Sequence, residues 1–211
     1  FMSGQMGKKF ITRSLISVAI SLLLVILALA IIFNRQLIYD QLAYNSYQAS
    51  TDVLTLVSNS GMSQKGQFLF LASKPVLDDT ASLYKECAGV ENSASVLGCY
   101  KNKIIYIFDV HDERIASVRE VTAAHELLHA IYDRLSYSQR DKLDDLLFQE
   151  YEKLKLDEDF MARMAAYTNI DDSDLANELH SIIGTEVALI GPELESHYSK
   201  YFYNRQKIVN L

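Results

Sequence analysis

"TAAHELLHAIYDRL" (residues 122–135) sets two histidines four positions apart with a glutamate beside the first. On an α-helix, residues i and i+4 share a face, so His125 and His129 can aim ring nitrogens at one ion. Glu126 lies one position along, beside such an ion rather than on it. There a carboxylate can take a proton from a water and later pass it to a leaving amine. Three fixed residues in five arise by chance roughly once in several hundred chains of this length, so the surroundings must decide. The flanks favour a buried helix: Ala124, Leu127, Leu128, Ala130 and Ile131 are uncharged.

Working outward, the chain reads as helical from Arg119 onward. A second helix follows over "SQRDKLDDLLFQEYEKLKL", with Ser138 and Asp141 as its capping pair. A third covers about 158–167. A fourth begins near Asp172 to Asp174 and runs to Ile190, where Gly191-Pro192 stops it. Pro192 suits the first turn of a last helix. Before the motif, "QFLFLAS" (67–73) reads as a strand, and "YKNKIIYIFDV" (100–110) as the best strand in the chain. "HDER" makes a turn with His111 as a turn residue, and 115–118 is a partner for a hairpin. The expected fold class is α+β, predominantly helical, with a small, mostly antiparallel sheet followed by helices.

The far N-terminal part differs in kind. "LISVAISLLLVILALAIIF" (15–33) carries no charge and only two serines. As a helix it spans roughly 28 Å, close to the hydrocarbon thickness of a bilayer. Lys8, Lys9 and Arg13 precede it and only Arg35 follows closely. The positive-inside bias then leaves the N-terminus cytoplasmic and exports the rest. Ala28-Leu29-Ala30 has the form of a signal cleavage site, but Ile31, Ile32 and Phe33 carry the apolar run past it. The expected division is a cytoplasmic N-terminus at 1–13, a transmembrane anchor at 14–33, a helical stalk or first domain helix at 34–60, and an extracytoplasmic domain at 61–211. That exported part holds all 27 acidic residues against 17 of the 20 basic ones, a formal charge near −10. Such a balance disfavours nucleic acid as a partner. Cys87 and Cys99 are the only cysteines. An oxidising compartment would let them bridge, contributing about 3 kcal/mol in the chain-entropy model; two free thiols are the alternative.

Residues 122–131 resemble the extended signature of the zincin metallopeptidases: Thr122, uncharged Ala123, His125-Glu126, two uncharged residues, His129, Ala130 and hydrophobic Ile131. The order of strand, motif helix and helical lower half is also similar to zincins. The resemblance implies one catalytic Zn2+, His125 and His129 as ligands, and Glu126 as general base. A catalytic zinc needs a third protein ligand and an open position. No histidine follows closely enough for the metzincin pattern, because positions 132 and 135 are Tyr and Leu. The gluzincin arrangement, with a Glu from a later helix, remains.

"NELHSIIGTE" (177–186) offers Glu178, His180 and Glu186. Glu178 with small Ser181 at +3 fits the gluzincin pattern best. His180 points roughly 200° away from Glu178 on a regular helix. Glu186, two turns on, is an alternative ligand or an orienter of a ligand histidine. Well-known gluzincins carry an Asp four residues after the Glu, and here that position is Ile182. His197 and Tyr198 are candidates to stabilise the oxyanion, with Tyr201 and Tyr203 nearby, while Tyr132 reads as core.

The expectation is a membrane-anchored zinc metallopeptidase, a hydrolase acting on peptide or protein substrates outside the cytoplasm. In that reading strand 103–109 pairs with an extended peptide. The alternative is a non-catalytic envelope protein whose zinc site serves folding or partner binding.

Overall fold

The computed structural model describes residues 3–89, 97–110, 112, 115, 117–167 and 170–211. The chain divides into two compact units, residues 1–41 and 42–211. In the first, helix α1 (Ser3–Phe33) carries the apolar stretch Leu15–Phe33, of mean hydropathy 3.2. It is long and apolar enough to cross a membrane, and a signal sequence has the same make-up. Its leucines, isoleucines and valines are exposed. Helical hydrogen bonding continues through Asn34, which accepts from Ile38 at 2.9 Å, into α2 (Arg35–Ser46).

The second unit begins within α2. Its next helix, α3 (Thr51–Asn59), starts at Ser50, whose hydroxyl accepts from the Val53 N–H. Val53, Leu56 and Val57 are buried, so this segment is a domain helix rather than a stalk. Helix α4 (Gln64–Ala72) occupies the stretch expected as a strand. Ser63 is its N-cap, accepting from the Gly66 N–H at 3.1 Å, and the apolar run behind it is too short to fix a period by itself.

Three strands form one mixed sheet. β1 (Val76–Asp78) is followed by α5 (Thr80–Glu86), then β2 (Gly98–Lys101) and β3 (Ile104–Phe108). The order is β1-β3-β2, with β1 parallel and β2 antiparallel to β3. The expected single strand over 100–110 is therefore a hairpin folded at Asn102 and Lys103, both at positive φ (51° and 65°). The sheet is mixed rather than mostly antiparallel. No strand forms at 115–118 among the described residues, since Val118 already opens α6 (Val118–Asp133). His111 lies outside the described residues.

Alternation along the strands gives each sheet face its own partner. Ile105 and Ile107 are fully buried within the main core, together with Ala123, Leu127 and Ile131 of α6. Tyr106 and Phe108 face the other way, against Leu83, Cys87 and Cys99. Cys87 and Cys99 form a disulfide with Cα atoms 5.9 Å apart, tying the end of α5 to β2.

The helical half comprises α7 (Tyr137–Leu154), α8 (Glu158–Met164) with a 3₁₀ turn at Ala165–Tyr167, α9 (Asp172–Glu186), α10 (Pro192–Tyr198) and α11 (Gln206–Val209). Its capping box is Ser136 with Gln139, not Ser138 with Asp141. The Ser136 N–H donates to Gln139 Oε1 at 2.9 Å, so α7 starts one residue before Ser138. Helix α9 ends at Glu186 and not Ile190. Val187 is extended, and the buried Arg205 guanidinium donates to the carbonyls of Val187 (2.6 Å) and Ala188 (3.1 Å). Pro192 does open α10, as the sequence indicates, but the expected last helix stops at Tyr198 and the short α11 follows it.

Candidate metal centre

Helices α6 and α9 pack against each other, with Gly184 of α9 close to Leu128 of α6. Ser181 of α9 is fully buried, and its hydroxyl donates to the Glu178 carbonyl at 2.9 Å. A Cβ on Gly184 would lie 2.4 Å from Leu128 Cδ1 and 2.7 Å from Tyr198 Cε1, so any larger residue would have to displace these buried side chains. The closeness carries Glu178 to the motif. His125, His129 and Glu178 each offer one donor atom, all within 4.8 Å of one another, a grouping able to hold a metal ion. His129 Nε2 stands 3.7 Å from Glu178 Oε1, and the His125 and His129 rings meet edge to face with centroids 4.9 Å apart. His129 and Glu178 are buried and His125 is half-buried. Burial first, and the neighbouring His129 second, hold His125 well below the usual imidazole range, so the ring is neutral and its lone pair free for a cation.

One contributor escaped the sequence reading. Asn177 Oδ1 lies 3.1 Å from His129 Nδ1. With the amide oxygen accepting, Nδ1 carries the proton and Nε2 keeps its lone pair toward Glu178. This is the arrangement that orients a metal-binding histidine. The signal was local: Asn177 directly precedes the favoured ligand, five positions before the one where an acidic partner was sought. Ile182, at that other position, is buried in the core.

Glu186 is not at this site. Eight residues at 100° each turn it about 80° from Glu178, and it pairs with Arg163 (Nε to Oε2, 3.0 Å) with its side chain 34% exposed. His180 points elsewhere as well, as its helical angle requires. Its Nδ1 donates to the Leu128 carbonyl at 3.1 Å, and its Nε2 faces His197 Nε2 at 3.0 Å. Burial, followed by His197, holds His180 well below its ordinary range. Burial lowers His197 to about 4, aided by Lys200 and Lys65.

The two oxyanion candidates are therefore engaged. His197 hydrogen-bonds His180, while Tyr198 is fully buried with its hydroxyl donating to the His180 carbonyl at 2.8 Å. Tyr198 braces α9 from within, and burial pushes its phenol up in pKa. Tyr132 is buried and donates to Asp144 at 2.8 Å.

Glu126 is buried on α6 beside the cluster. Strand β2 lies against it: a Cβ on Gly98 would stand 3.1 Å from Glu126 Cγ. Comparison with known proteins finds no matching family model, curated relative or solved structure.

Proposed function

We propose that the chain is a membrane-anchored zinc-dependent metallopeptidase whose domain works outside the cytoplasm. The observation that carries this reading is the convergence of His125, His129 and Glu178 from two helices, with Glu126 alongside. Two imidazoles and one carboxylate, one imidazole oriented by an amide oxygen, are the donor set of a catalytic zinc rather than of a closed structural site. Bound there, zinc supplies a Lewis acid for the scissile carbonyl and lowers the pKa of the attacking water. Glu126 accepts the proton that this water gives up as its oxygen joins the carbonyl carbon. It then returns the proton to the amine as the C–N bond breaks.

An extended substrate pairs with β2 and not with strand 103–109. β3 has a neighbour on each side, so its backbone groups are taken; among the described residues no strand pairs with the outer edge of β1 or of β2, and β2 is the one that lies against Glu126. The basic residues before the apolar helix support a cytoplasmic N-terminus. The Cys87–Cys99 bridge supports an oxidising compartment for the domain. The resemblance to gluzincins rests on the motif and on Glu178.

The test is Glu126→Gln, which keeps size and hydrogen bonding but accepts no proton. Zinc stays bound while turnover of a labelled protein substrate falls by about 100-fold or more. Equal turnover in the variant and the wild type would remove Glu126 from the chemistry and leave a zinc site serving structure.

A further inference from the structure

We propose that Gly98 is a positioning residue for Glu126: its missing side chain lets the edge strand lie directly against the carboxylate-bearing helix and so sets the aim of the base. The proposal rests on the metallopeptidase reading and names a residue that the HExxH pattern does not contain. Three observations carry it. A Cβ at Gly98 would sit 2.6 Å from Thr122 Cγ2, 2.8 Å from the Tyr106 carbonyl oxygen and 3.1 Å from Glu126 Cγ. Thr122 and Glu126 are one helical turn apart on α6, so Gly98 occupies the notch between them. The carbonyl belongs to the sheet backbone and cannot rotate aside.

Gly98 is also held there from both sides. Its pairing partner across the hairpin is Ile107, fully buried in the main core, which turns Gly98 toward α6. Cys99 points to the opposite face and is bonded to Cys87. Two residues on, Tyr100 donates to Asp133 Oδ2 at 2.9 Å, and Arg134 reaches the same phenol oxygen at 3.3 Å, clamping β2 to the end of α6. A strand pinned at Cys99 and Tyr100 has little freedom to retreat from a new methyl group at 98. The displacement falls on Thr122 and Glu126 instead. A shift of the base by about 1 Å costs on the order of 100-fold in rate while leaving the three metal donors in place.

A matched pair of variants in the full chain tests this. Gly66 of α4 offers a still closer clash, with a Cβ 2.2 Å from the Tyr201 carbonyl oxygen, among residues that take no part in the metal cluster. Both Gly98→Ala and Gly66→Ala lose stability. With zinc loaded and fluorescein-labelled casein as the probe, Gly98→Ala loses about 100-fold in kcat per folded molecule and keeps its zinc, while Gly66→Ala stays within about twofold of wild type. Crystal structures of the two supply the second readout: Glu126 is displaced relative to His125, His129 and Glu178 in the first and unmoved in the second. If Gly98→Ala does not fold, the Cys87→Ala/Cys99→Ala protein replaces it: it adds nothing at 98 but releases β2 on one side, so Glu126 is displaced less and the loss of kcat is correspondingly smaller. An unmoved Glu126, or losses that track only the folded fraction, overturns the proposal. Wild-type protein that binds zinc but cleaves nothing, with Glu126 still displaced by Gly98→Ala, overturns the peptidase reading and leaves the positioning role standing.

Discussion

Helix α6 holds one pair of histidines and helices α9 and α10 share another, and the two pairs have opposite fates. His125 and His129 sit on one helix, and the outward nitrogen of His129 faces a carboxylate 3.7 Å away. His180 and His197 sit on two helices and close on each other, Nε2 to Nε2 at 3.0 Å. In both pairs a second nitrogen is anchored, by Asn177 for His129 and by the Leu128 carbonyl for His180. The difference lies in what the remaining nitrogen meets. Facing a carboxylate and another imidazole edge, a neutral ring is available to a cation. Facing a second Nε2, it is already satisfied by one shared proton. A histidine's role thus follows from the partners of both nitrogens, not from its neighbours in sequence.

The sharpest way to break this comparison is to remove the anchor of the first pair. Asn177→Ala leaves all three donors present but frees the His129 ring to rotate. Metal affinity is expected to fall about 10-fold to 100-fold, measured by competition with a chromogenic chelator. Unchanged affinity would mean that the amide oxygen does not orient His129.

A smaller effect tests the second pair through pH. Unfolded, His197 takes up its proton near pH ~6.5; folded, it does so only near pH 4. The unfolded state therefore binds more protons between these values, so stability is full above about pH 6.5 and declines as pH falls toward 4. His197→Gln removes that contribution. Denaturation midpoints from pH 7 to 4.5 should fall less steeply in the variant, and parallel curves would show that the pair is not held neutral by the fold.

Legibility in the sequence followed range. Relations within one helix were readable: His125 with His129, and the opposite bearings of Glu178 and His180. Pro192 and Asp172 to Asp174 marked helix starts because their signals are local, and the N-cap itself is the neighbouring Asp171. Relations between elements were not readable. Arg205 shortens α9 from eighteen residues away in the chain, and the local sequence after Glu186 carries no stop signal of its own. One relation within a helix was misread: Glu186, two turns after Glu178, lies about 80° round from it and pairs with Arg163.

The sheet was read least well, and for related reasons. The apolar run Phe68–Leu71 fits either a short strand or a buried helix, and Ser63 as N-cap decides for the helix. The hairpin at Asn102-Lys103 lacks the glycine that usually announces a two-residue turn, so two strands read as one. That misreading also hid that β2 is an edge strand. The place of Gly98 against Glu126 followed only from the register of β2 on β3.

The account stands most directly on the metal content of the full chain and two glutamate variants, purified together and measured by elemental analysis. Wild type and Glu186→Ala should each hold one zinc per chain, because Glu186 pairs with Arg163 and not with the cluster. Glu178→Ala should hold far less, since a removed ligand leaves only two histidines. Zinc retained in full by Glu178→Ala, or absent from the wild type, would contradict a centre built from His125, His129 and Glu178.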